Sequence, residues 1–194
     1  MAECAPYSAC RPPHGQHGFT LVELLAVTAL IGIVSTIALP AFSSIYEGCC
    51  VKAVVAEIAG MIKEAKQNAL TNEKYYALGF DPASGQVSLI SDKGHDGKWN
   101  TADDQVVRFF RLTDKGGGLR FGYGNYGPLP GLASASDGVT FQSNNTLVCN
   151  PDLTGSAGTV YIISRRGIAM AMVMNSVDFG YIIWRWNGKK WAKI

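Results

Sequence analysis

The sequence has 194 residues, of which 47% are hydrophobic and 16% are charged, and its formal net charge is +2. This length suits one domain with its own core plus an appendage. The nearly balanced charge argues against a strongly basic nucleic-acid-binding protein, and the scattered glycines and prolines exclude a collagen-like chain.

An apolar segment from Phe19 to Leu39 holds a single charged residue, Glu23. A helix of this length spans about 30 Å, which matches the hydrocarbon layer of a membrane. A carboxylate in such a segment is unfavourable in lipid and usually has a partner. Two simpler interpretations stay open, a cleaved secretory signal and a plain signal anchor, although the apolar run is longer than in ordinary secretory signals.

Pro40 ends this segment and is expected to kink or interrupt a helix. Beyond it, apolar residues recur at steps of three and four, which is typical of one face of a helix. These residues are Val51, Val54, Val55, Ile58, Met61, Ile62, Ala65 and Ala69. The pattern predicts one long helix from about Phe19 to Leu70, whose second half covers one face of a sheet.

The chain after Thr71 is rich in short β-branched and aromatic runs, separated by turn-forming segments. The runs are "YYALGFD", "QVSLIS", "VVRFFRL", "LRFGYGN", "GVTFQS", "TLVCN", "TVYIIS", "IAMAMVM" and "YIIWRW". Because no helical pattern separates them, we expect antiparallel sheets. The predicted fold class is α+β, with a long N-terminal helix packed on an antiparallel β-rich globular domain. Residues 126–137 are predicted to form a flexible loop.

The stretch "GFTLVELL", followed by an apolar helix, resembles the prepilin-type N-terminus of type IV pilins and type II secretion pseudopilins. The resemblance implies cleavage after Gly18, N-methylation of Phe19 and a role for Glu23 in assembly. Gly32 and Pro40 fall where the family's helix has a glycine and a proline, which implies helix flexibility there.

The same resemblance implies four segments and a location. Residues 1–18 form a leader that is removed, 19–42 a transmembrane and filament-core helix, 43–71 an amphipathic helix, and 72–194 a β-rich globular domain. The family's subunits cross the bacterial inner membrane once, with this domain in the periplasm. The implied partners are other pseudopilins or pilins, a prepilin peptidase and methyltransferase, and an inner-membrane assembly platform.

A physical reason for Glu23 follows from the implied cleavage. The new α-amine at Phe19 is mostly protonated at neutral pH. In a filament, Glu23 of one subunit can meet the amine of a neighbour, and that attraction is strong where water is excluded. A carboxylate left without its partner there is costly, so the pair selects the register in which subunits stack.

The carboxy-terminal run "GTVYIISRRGIAMAMVM" is similar to the end of H-type minor pseudopilins and related minor pilins. This implies a structural minor pseudopilin of a type II secretion pseudopilus, a filament that drives protein export. Another interpretation of Arg165, Arg166 and Gly167 is a simple hairpin turn.

The alternative function is a minor type IV pilin that binds a ligand, either a surface for adhesion or DNA for uptake. Basic and aromatic residues near the C-terminus would then form a stacking platform for single strands. They are Arg165, Arg166, Lys189 and Lys190, with Trp184, Trp186 and Trp191. A solvated edge with interior aromatic residues explains the same pattern.

The loop "SDKGHDGKWNTADDQVV" concentrates oxygen-bearing side chains between two predicted strands. Calcium prefers six to eight oxygen ligands, but the spacing does not fit an EF-hand. The loop resembles the calcium loop of major pseudopilins, which implies Asp96, Asp103 and Asp104 as ligands, with Asp92 and Asn100 as further candidates. A polar surface loop that uses Asp and Asn for turns is the alternative.

Cys4 and Cys10 lie in the predicted leader, so the mature chain keeps Cys49, Cys50 and Cys149. An oxidising exterior permits a disulfide between Cys149 and either Cys49 or Cys50, and the alternative is that all three are small buried hydrophobes. No hydrolase, zinc-protease or phosphate-loop motif is present, and no organic cofactor is expected. His95 beside Asp96 does not by itself make a catalytic site, so we do not expect an enzyme.

Overall fold

The computed structural model describes residues 18–177 and 180–194, without the side chains of residues 39–41. The described chain divides into two units, one that ends at Ala41 and one that comprises Phe42–Ile194. The first element is a helix of 52 residues, α1 (Leu21–Asn72). The predicted long helix is therefore confirmed, and with it the α+β fold class. α1 runs through Pro40, so the predicted interruption of the helix at this proline is not observed, and the predicted leader before Gly18 falls outside the described residues.

The first part of α1 presents its apolar side chains to the outside, as a membrane segment requires. Exposed residues include Phe19, Leu21, Val22, Leu24, Leu25, Leu30, Ile31, Ile33, Val34 and Ile37. By length and composition, α1 contains a stretch that is apolar enough to cross a membrane. The N-terminal segment is thus consistent with a single-pass membrane anchor.

The β-rich part of the chain forms two antiparallel sheets. The strands are β1 (Tyr76–Asp81), β2 (Gln86–Asp92), β3 (Gln105–Arg111), β4 (Arg120–Phe121), β5 (Thr146–Cys149), β6 (Gly158–Ile163), β7 (Ala169–Met174), β8 (Tyr181–Trp186) and β9 (Trp191–Lys193). One sheet has the order β3-β2-β1-β5 and the other has the order β4-β6-β7-β8-β9. The predicted antiparallel arrangement is confirmed.

Three strand predictions differ from the structure. Of the run "LRFGYGN", only Arg120–Phe121 forms a strand, and a 3₁₀ turn follows at Gly124–Tyr126. The run "GVTFQS" is not a strand: Val139 makes one isolated bridge to Val160, and Ser143 turns into the left-handed region with φ 55°. The short strand β9 at the C-terminus lacked the alternating pattern that marks a strand in the sequence, and it forms because it pairs with β8. β9 pairs with its immediate neighbour β8 in a hairpin, and its three residues are too few to show an alternating pattern. In "GVTFQS" the tertiary context overrides the strand propensity of the sequence.

The second half of α1 supplies the core of the globular unit. All eight residues of the predicted apolar stripe are buried, and Val51, Val54 and Ile58 are fully inaccessible. They share one apolar core with Phe80 and Leu89 of the first sheet and with residues of the second sheet, Val160, Ile162, Met170 and Met172. The stripe thus belongs to a core that residues of both sheets share, whereas the sequence predicted one sheet face.

A second apolar cluster lies in the β4-β6-β7-β8-β9 sheet, around Tyr161 and Trp191. Part of the predicted flexible loop packs into it. Leu129 is buried, and its backbone N–H donates to the Tyr161 hydroxyl at 3.0 Å. The indole N–H of Trp191 donates to the carbonyl oxygen of Gly127 at 3.2 Å. The prediction of a flexible loop is wrong for its first part, because these contacts tie it to the sheet.

Candidate functional site

Glu23 lies in the first turn of α1 and takes part in a reciprocal helix cap. The Thr20 hydroxyl oxygen accepts a hydrogen bond from the Glu23 backbone N–H at 3.2 Å, and a Glu23 carboxylate oxygen accepts one from the Thr20 N–H at 3.4 Å. This is the capping-box arrangement, whose sequence signature is Thr-x-x-Glu. The signature was present in the sequence, but only an assembly role was assigned to Glu23. The cap gives this carboxylate a second, local role.

Around this cap the surface is open. Gly18, Phe19 and Glu23 are all exposed, and Phe19 exposes 78% of its surface. A methyl-sized group added at Gly18 or Gly32 would meet nothing within 4 Å. Among the described residues, none covers Gly18, Phe19 or Glu23.

The acidic loop between β2 and β3 is organised by its own hydrogen bonds. The Asp103 carboxylate accepts from the backbone N–H groups of His95 and Asp96 at 2.8 and 3.2 Å, and from the Thr101 hydroxyl at 2.8 Å. The Asp104 carboxylate accepts from the Thr101 N–H at 3.0 Å. The Thr101 hydroxyl, with the N–H groups of Asp96 and His95, holds the pKa of Asp103 below its ordinary value.

The five predicted calcium ligands do not all line one cavity, although the Asp103 and Asp104 carboxylates both accept from the Thr101 hydroxyl, at 2.8 and 3.2 Å. Asp92 and Asp103 border one cavity of about 330 Å³, whereas Asn100 and Asp104 border another of about 420 Å³. Asn100 instead ties the loop to the sheet, because its amide donates to the carbonyl oxygen of Phe80 at 3.1 Å. Among the described residues, no group of three or more His, Cys, Asp or Glu side chains is placed to hold a metal ion. This arrangement does not fit a ready-made calcium site.

Calcium binding by this loop stays a prediction, and the melting temperature of the full chain tests it. A bound ion would favour the folded state, so the sequence pattern predicts a higher melting temperature with calcium than with a chelator. The double variant Asp103→Ala/Asp104→Ala should lose that difference, and Asp114→Ala, which lies outside the loop, should keep it. Equal melting temperatures of the wild type with calcium and with chelator would exclude the site.

The three cysteines of the predicted mature chain are free thiols. Cys149 lies near Lys66, while Cys50 lies near Gly117. Along a helix, the sixteen residues between Cys50 and Lys66 span about 24 Å, far beyond the reach of a disulfide. The structure therefore forms neither of the two bridges that the sequence left open. Burial raises the pKa of Cys149 to about 12, so this cysteine is an unreactive thiol at neutral pH.

The tryptophans of the proposed stacking platform pack within the domain. Trp191 is buried, and Trp186 stacks on Tyr126 with ring centroids 4.7 Å apart. Trp184 is partly buried against the same second cluster. These side chains therefore match the alternative of interior aromatic residues, and their faces are not arranged to stack on single-stranded bases.

Arg165, Arg166 and Gly167 form the hairpin turn between β6 and β7, and a buried carboxylate holds that turn. Glu47, 7% exposed, accepts a hydrogen bond from the Arg166 backbone N–H at 2.9 Å. One of its carboxylate oxygens also lies 3.6 Å from the Arg166 guanidinium. Glu47 gave no signal in the sequence, since a lone Glu in an amphipathic helix usually faces solvent.

The protein is an α+β chain, and its exposed apolar N-terminal helix continues into the core of a β-rich unit. Residues 13–39 match the family model described as "Prokaryotic N-terminal methylation motif". The chain is similar to a fimbrial protein of Moraxella nonliquefaciens, with 37% identity over 83 residues, covering 41% of this chain and 51% of the relative.

A type IV major pilin protein, PilE of Neisseria gonorrhoeae, is 39% identical over 83 residues, covering 41% of this chain and 46% of the relative. The chain therefore spans about half the length of the curated relatives it matches. Among solved structures, the minor pseudopilin EpsH of the Vibrio cholerae type 2 secretion system matches with a TM-score of 0.44 and 10% identity, covering 69% of this chain and 94% of that one. The N-terminal motif and the pilin relatives show that the N-terminal part of this chain is similar to that of type IV pilins.

Proposed function

We propose that this chain is a structural minor pseudopilin of a type II secretion pseudopilus, which a prepilin peptidase processes and an inner-membrane platform assembles. The observation that carries the proposal is an exposed apolar helix with one accessible carboxylate, Glu23, four residues after Phe19. The helix holds the subunit in the membrane before assembly and packs against neighbouring helices afterwards. The methylation motif and the pilin relatives support the filament role.

The choice of a secretion filament rests on the similarity of the C-terminal run to H-type minor pseudopilins. The placement of Trp186 and Trp191 favours it over a DNA-binding pilin, because both rings pack against other aromatic residues of the domain. We expect deletion of the chain to stop export of secreted enzymes and to leave surface pili unchanged. Loss of adhesion or DNA uptake with normal export would support the alternative minor pilin instead.

Processing at the N-terminus is a separate prediction. We expect the mature chain to begin at Phe19 with a methylated α-amine, because Gly18 offers the small, exposed residue that the family's peptidase accepts. Mass spectrometry of the intact mature protein measures this directly. A mature chain that starts near Ala41 would indicate an ordinary secretory signal and would contradict the filament role.

A further inference from the structure

A cavity of about 400 Å³ opens where α1 ends and β1 begins. Two aromatic side chains, Tyr75 and Trp99, line it together with Val148. This volume lies within the range of small-molecule sites, which combine an apolar wall with a few polar groups. Neither the filament role nor the predicted calcium site uses these two aromatic residues.

The backbone on both sides of the cavity has defined contacts. Glu73 adopts a left-handed conformation, with φ 52°, that ends α1 and leads into Tyr75. On the other side, the Trp99 carbonyl oxygen accepts from the Asn144 amide at 3.4 Å, and the next residue, Asn100, donates to Phe80 and Asn144.

Trp99 is half-buried and lines two separate cavities. It lines the first cavity and also a second one of about 300 Å³, which Gly97, Lys98 and Ser143 border. Tyr75 exposes 58% of its surface. These aromatic surfaces are thus available to a ligand, in contrast to the packed rings of Trp186 and Trp191.

The formal charges of the residues that line the cavity sum to zero. Two acidic residues, Glu73 and Asp92, line this cavity together with two basic residues, Lys74 and Lys93. A charged ligand gains no net attraction from such a set. A neutral ligand with many hydroxyl groups can use all four, because carboxylates only accept hydrogen bonds and ammonium groups only donate them. The Ser91 hydroxyl, which also lines the cavity, can do either.

We propose that this cavity binds a neutral saccharide. Tyr75 and Trp99 pack against the apolar C–H faces of the sugar rings, while Glu73 and Asp92 accept hydrogen bonds from its hydroxyl groups. Lys74 and Lys93 donate to the hydroxyl and ring oxygens. This activity goes beyond the filament role and does not depend on it.

The test uses the full chain in micelles of a detergent that contains no sugar. Maltotriose and tri-N-acetylchitotriose are titrated by isothermal calorimetry, with tryptophan fluorescence as a second readout. We expect saturable binding of at least one of these neutral probes. Because one aromatic contact is lost, Tyr75→Ala should weaken that binding by roughly five- to tenfold, and Asp92→Asn should also weaken it.

Phe109→Ala is the matched control, since Phe109 is an aromatic residue of β3 that is 58% exposed and lies outside the cavity. Its dissociation constant should equal that of the wild type. The proposal is overturned if the wild type binds neither probe, if Tyr75→Ala and Asp92→Asn bind as the wild type does, or if trigalacturonic acid, which is anionic, binds more tightly than both neutral probes. Any of these results leaves Glu23-dependent assembly as a separate question.

Discussion

Glu23→Ala is expected to abolish incorporation of this chain into filaments while leaving its insertion into the membrane intact. Removing a carboxylate from an apolar span makes insertion more favourable. Under the proposed function, the same change leaves the protonated α-amine of a neighbouring subunit without a partner in a water-poor filament core, which is strongly unfavourable. Membrane fractionation measures insertion, and purification of sheared filaments measures assembly.

The structure adds a second role for Glu23 that the alanine variant cannot separate from the first. Its carboxylate accepts from the Thr20 N–H as the reciprocal half of the cap on α1, whereas loss of the N-cap side chain itself, here Thr20, costs about 0.5–2 kcal/mol. Glutamine at this position keeps the cap, because Gln also serves in a capping box. Glu23→Gln removes only the charge, and Thr20→Ala removes only the hydroxyl side of the cap.

The three variants together identify which role matters. If the ion pair drives assembly, Glu23→Gln fails as Glu23→Ala does, and Thr20→Ala still assembles. Normal assembly of Glu23→Gln with failure of Thr20→Ala would show that the cap is the essential feature. Wild-type assembly of Glu23→Ala would show that neither role of the carboxylate is required.

Phe80→Ala is expected to destabilise the globular unit by about 3–5 kcal/mol, the usual cost of deleting a buried phenylalanine ring. Phe80, on β1, is fully inaccessible. Its ring stacks on Phe141 at 5.5 Å between centroids and meets the edge of Phe121, on β4 of the other sheet, at 6.1 Å. The deletion therefore leaves a cavity where the two sheets meet, and few side chains can move to fill it.

Denaturation of the full chain with urea, followed by tryptophan fluorescence, measures this loss. All four tryptophans lie beyond residue 72, so the signal reports on the β-rich part of the chain. Phe109→Ala is the matched control, because the same ring removed from an exposed position should change stability by less than about 0.5 kcal/mol. Similar midpoints for Phe80→Ala and the wild type would contradict the role given to this ring.

Much of the fold could be predicted because its signals are local. The steps of three and four from Val51 to Ala69 depend only on helix geometry, and all eight predicted positions are buried. The apolar segment around Glu23 and the alternation in most strands depend likewise on neighbouring residues. The prepilin-type motif is also local, since a peptidase reads a short stretch of chain.

The sequence by itself determined the long helix, most of the strands and the N-terminal motif. Only the tertiary structure decided which distant groups meet. Glu47 accepts a hydrogen bond from the turn at Arg166, more than a hundred residues further along the chain. Tyr75 and Trp99 line one cavity only because α1 ends beside the loop before β3. The same folding keeps Cys50 and Cys149 far apart and divides the acidic side chains between two cavities. Such encounters depend on chain topology, since local patterns encode periodicity but not the pairing of remote segments.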